Sequence, residues 1–66
     1  MNEKQLVKNL REWLGYQINH HQTILDNDRE VLSFPKLNEE NRKRVETSIE
    51  ICTFRINFLN KQLNNL

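Results

Sequence analysis

Seven apolar residues in the second half of this chain follow one another at spacings of 4, 3, 4, 3, 4 and 3: Val45, Ile49, Cys52, Ile56, Leu59, Leu63 and Leu66. An α-helix advances about 100° per residue, so this alternation lays all seven along one stripe. The same repeat builds the seam of coiled coils and helix bundles. No glycine or proline interrupts residues 36–66. Asn38 is placed to cap the first N–H groups, and Glu39 and Glu40 then fall where the helix dipole favours negative charge. The pattern predicts a helix over about 38–66.

The first half carries a broader stripe. Its best register turns Val7, Leu10, Leu14, Gln17, His21, Ile24, Asp28 and Val31 inward, with Leu6, Trp13, Ile18, Leu25 and Leu32 beside them. This predicts one helix over about 3–33, with Gly15 as its weakest point. Phe34-Pro35-Lys36 ends it, because proline disfavours helical geometry in the residue before it. A short turn at 34–37 between helices of similar length makes them antiparallel. Folding about that turn places residues whose numbers sum to about 71 side by side, with Ile24 near Val45 and Ser48, and Leu14 near Ile56. The expected fold is a single all-α domain over 1–66, an antiparallel two-helix hairpin.

A hairpin has one seam to bury, and a core of that size seldom supplies more than about 3–5 kcal/mol. Disulfides do not help, since Cys52 is the only cysteine. Self-association is the remaining device, and it predicts a homodimer in the form of a four-helix bundle. Helix two carries apolar surface for it. Ile51, Phe54 and Phe58 lie at spacings of 3 and 4 away from the main stripe, and three large residues in line point to a contact. Trp13 and Tyr16 on helix one are further anchors, since such aromatics concentrate binding energy at interfaces.

Chemistry is harder to find. Gln17, His20, His21 and Cys52 meet near mid-bundle in the register above, and a Cys–His pair can generate a thiolate. No third group orients the imidazole, and no loop forms a pocket around it. His20 and His21 are adjacent, about 100° apart on a helix, so they do not chelate as an i, i+4 pair does. Asp26, Asp28 and Glu30 alternate as at the start of a calcium loop, but Val31 stands where that loop needs glycine. The expectation is no catalytic residue, no metal, no cofactor and no small-molecule substrate. Lys4, Lys8 and Arg11 share one helix face, the candidate contact for RNA or DNA should the chain bind nucleic acid instead of protein.

Two families of small helical hairpins are similar in outline. Plasmid copy-number RNA-binding hairpins resemble this chain in length and in their dimeric four-helix form, an architectural likeness without a shared motif. Ser48-Ile49-Glu50-Ile51-Cys52 resembles the Ser-Gln-Glu-Leu-Asp motif of the small sporulation aspartyl-phosphate phosphatases. Ile49 replaces its Gln and Cys52 its closing Asp, so the likeness implies a response-regulator- or kinase-binding scaffold without the phosphatase activity.

The formal net charge is +1, which gives no strong address for nucleic acid or anionic lipid. No apolar run reaches the roughly 18 residues of a membrane span, and no signal-peptide core follows the first residues. With one unpaired cysteine, these features predict a cytoplasmic protein. Ten asparagines point to a low-GC bacterium, its phage or a plasmid. Together the features predict a small non-enzymatic regulator, inhibitor or adaptor that binds itself and another protein.

Overall fold

A computed structural model describes residues 2–66. Two α-helices, α1 (Glu3–Leu32) and α2 (Glu39–Asn64), pack antiparallel as a hairpin about 53 Å long and 14 Å across. Both helices begin on an asparagine. The Asn2 side chain accepts the Gln5 N–H at 2.8 Å, and the Asn38 side chain accepts the Asn41 N–H at 2.8 Å. Each cap satisfies a donor that has no partner inside its helix, with the extended backbone typical of this position. Glu3, Glu39 and Glu40 occupy the first turns, where they complement the dipole.

The helices are slightly shorter than their sequence patterns. α1 stops at Leu32, where the Ser33 hydroxyl donates to the Glu30 carbonyl at 2.6 Å and its N–H turns back to Glu30 and Val31. α2 stops at Asn64, with Asn65 closing the last turn. Between them, the Phe34 N–H donates to Val31 and the Leu37 N–H to Phe34. These successive turns carry the chain onward past Pro35 before it reverses.

That onward rise changes the register. The Ser48 hydroxyl donates to Asp28 across the helices, and the Arg11 guanidinium donates to the Leu66 carbonyl. Opposed residues therefore have numbers that sum to about 76, not the 71 obtained by folding at Phe34-Pro35. α2 is displaced by about five residues, roughly 7.5 Å at 1.5 Å per residue. Cys52 comes level with Ile24, and Leu14 with Gln62 and Leu63. Ser48 comes level with Asp28, and the start of α1 extends beyond the last turn of α2.

Among the described residues only three side chains are sealed in the seam: Leu14, Leu25 and Cys52, at 4–6% exposure. Ile18, Ile24, Val45, Ile49, Ile56, Leu59 and Leu63 remain half-buried around them. Two helices touch along one line, so a side chain is enclosed only where it points straight at the partner helix. Cys52 serves here as a small apolar residue.

Gly15 lies within α1, and a Cβ built there meets nothing within 4 Å. Gly15→Ala is expected to stabilise the protein by about 0.5–1 kcal/mol, read as a higher urea midpoint. A loss of stability would instead reveal another molecule packed closely against that point. Asn38→Ala, which removes the cap of α2, is expected to cost about 1 kcal/mol in the same measurement.

Candidate functional site

The main surface feature is a groove between the helices along one side of the hairpin, nearer its open end than its turn. Leu10, Trp13, Leu14, Phe58, Leu59 and Leu66 line its outer part. Gln17, His21, Phe54 and Arg55 continue it, with Phe58 and Leu59 common to both parts. Helix geometry explains why these residues gather. At about 100° per residue, Leu10, Trp13 and Gln17 all lie to one side of Leu14 on α1. Phe58, Gln62 and Leu66 lie to the matching side of Cys52 on α2. In an antiparallel pair these two sides form a single face.

Large apolar side chains on this face stay exposed: Trp13 at 55%, Phe58 at 53% and Phe54 at 72%. Leu6, Leu10, Ile51 and Leu66 are exposed as well. Scattered exposed apolar residues are ordinary, but a groove walled by several large ones is the usual form of a helix-docking surface.

The residues singled out in sequence divide between groove and back. Phe54, Phe58 and Trp13 line the groove, whereas Ile51, one turn before Phe54 on α2, is exposed outside its lining. Tyr16, 70% exposed, lies about 200° around α1 from Leu14, on the side away from α2. The sequence placed the extra apolar face on helix two, with Trp13 and Tyr16 as further anchors on helix one; the groove draws on both helices and takes in Trp13 but not Tyr16. Leu10, Leu59 and Leu66 were assigned to the seam and prove also to wall the groove. The available signal was their position at the edge of each stripe, on the side of Trp13 and Phe58.

The polar layer also differs from its expectation. With the shifted register, His21 comes level with Arg55, and Cys52 lies about one turn farther toward the connector. The His21 ring Nδ1 donates to the Gln17 carbonyl at 2.7 Å, tying the ring back to its own helix. The His20 and His21 rings meet edge to face, their centroids 5.6 Å apart. Among the described residues, no group of three or more His, Cys, Asp or Glu side chains is placed to hold a metal ion.

Ser48, the first residue of the phosphatase-like segment, has a part in the fold. Its hydroxyl donates to Asp28 at 2.5 Å in a partly buried contact between the helices. Lys4, Lys8 and Arg11 do come together at the start of α1, around a shallow depression shared with Val7, Glu3 and Glu12. The two carboxylates offset part of its charge, and Arg11 also reaches Leu66. Near the connector, Arg44 pairs with Glu40 at 2.8 Å, an exposed i, i+4 pair that adds little stability. No described helix is long and apolar enough to cross a membrane.

No protein-family model matches the chain, and no curated protein or solved structure is significantly similar to it. The functional reading therefore rests on the groove and on the physical needs of the hairpin.

Ser48→Ala leaves the partly buried Asp28 carboxylate without its partner from α2. A loss of about 1–2 kcal/mol is expected in urea unfolding. Removing both groups together, as Ser48→Ala with Asp28→Leu, is expected to recover most of it.

Proposed function

We propose that this hairpin is a small non-enzymatic binding protein, a regulator, inhibitor or adaptor, whose interhelical groove docks helices of protein partners. A second copy is one such partner, and groove-to-groove pairing makes a four-helix bundle. The observation that carries this reading is the amount of surface left open. A folded monomer of 8.0 kDa typically exposes about 4,450 Å², whereas this chain exposes 5415 Å². The excess of roughly 950 Å² is close to the 800 Å² or so that each partner contributes to a standard protein interface.

Burial supports the same reading. Three sealed side chains are a small core for a fold of this length. Covering Trp13, Phe54 and Phe58 adds apolar burial worth about 1.5–3 kcal/mol for each side chain fully enclosed. Occupancy of the groove and stability of the helices are then linked, since whatever binds only the folded hairpin stabilises it.

Phe58→Glu and Phe54→Glu test the proposal. Both residues are exposed in the isolated hairpin, so its helix content should persist at high protein concentration. The expected result is a loss of assembly in sedimentation equilibrium and a melting temperature that no longer rises with concentration. Unchanged assembly in both variants would refute the groove as the docking surface.

A further inference from the structure

The inner half of the groove carries a charge that nothing in the hairpin answers. Arg55 on α2 lines it together with Gln17 and His21 on α1. Its side chain is exposed, and among the described residues it makes no hydrogen bond and no ion pair. The order of residues explains why. Ion pairs within a helix form at spacings of three or four, and those places around Arg55 hold Ile51, Cys52, Phe58 and Leu59. No Asp or Glu occurs from Trp13 to Leu25 on α1, or from Ile51 onward on α2. Along this side of the hairpin the next acidic side chain beyond His21 is Asp28. It lies seven residues farther along α1, about 10 Å, and is held by Ser48.

We infer that the groove selects a helix of another protein that carries an acidic residue among its apolar ones, with the carboxylate set against Arg55. The inference rests on the docking role proposed above and specifies the partner's chemistry. A helix lying in the groove takes Arg55 out of much of its water. Without a counter-charge that burial is costly, whereas a carboxylate turns it into a charge-assisted pair. The guanidinium offers parallel N–H donors that match both oxygens of a carboxylate. The Gln17 amide is a further donor on the same wall.

Shape favours a helix over a small acidic molecule. From Leu10 to His21 the groove follows α1 for about 16 Å, some three turns. It stays open along that length, with Trp13, Phe54 and Phe58 exposed, so it does not surround a compact ligand as a pocket does. A second copy does not supply the missing charge. What it brings to a groove-to-groove contact is the same lining, which contains no acidic side chain.

The test is a displayed library of helical peptides about four turns long, randomised along one face and sorted against the whole hairpin. The expected binders combine large apolar residues at helical spacing with one Asp or Glu. Changing that acid to its amide should weaken binding roughly tenfold, and Arg55→Gln in the hairpin should erase the difference. Arg55→Glu should cost the acidic binder still more, and a lysine in place of the peptide's acid should recover most of the loss. Arg55 has no partner within the hairpin, so circular dichroism should show the helix content of both variants unchanged.

Binders without an enriched acid, or an acid whose effect survives Arg55→Gln, would overturn the inference. The groove would then still stand as a docking surface if Phe58→Glu abolished their binding. Binding that is indifferent to Phe58→Glu would remove the groove as the site. A library that yields no binder would overturn the foreign helix as occupant.

Discussion

Everything in this molecule follows from a seam between two helices that is too narrow to enclose more than a few side chains. Leu14, Leu25 and Cys52 point directly at the opposite helix and are sealed. Residues one position around the helix, such as Ile18, Ile24 and Ile56, reach only half-burial. Those beyond, such as Trp13 and Phe58, remain largely in water. The sequence is thus more apolar than a hairpin by itself can use, and the surplus is concentrated on one side.

That concentration distinguishes one side of the hairpin from ordinary apolar scatter. Polar residues dominate the back of α1, where Lys4, Lys8, Glu12 and Tyr16 lie. The groove side carries Leu10, Trp13, Phe54 and Phe58 in one continuous strip. A chain that needed only solubility would gain from polar residues there. Gln17, His21, Arg55 and Gln62 supply some, and under the proposed docking the exposed apolar side chains among them are those that a partner would cover.

Polar contacts set geometry more than they add stability. The Ser48–Asp28 hydrogen bond and the reach of Arg11 to Leu66 pin the two helices lengthwise, where a stripe of similar apolar residues would tolerate sliding by a turn. A single polar pair in an apolar seam is a well-known way of fixing register. His21 is bound to its own helix through the Gln17 carbonyl, and its imidazole lines the groove.

The sequence by itself determined two long helices, the Asn38 start of the second, the break before Pro35 and the antiparallel hairpin. These depend on local spacing, capping and backbone sterics, all properties of neighbours in the chain. It also marked Ile51, Phe54 and Phe58 as surplus apolar residues, with Trp13 and Tyr16 as further anchors. Only the tertiary structure decided how the two stripes slide against each other. The connector rises through two further turns before reversing, a detail that helical periodicity does not record. From that shift came the Ser48–Asp28 contact and the separation of Cys52 from His21. The placement of surplus residues from both helices along one groove also needed the assembled pair. Periodicity assigns a residue to a face of its own helix, but which faces combine depends on how two helices rotate and stagger when they pack.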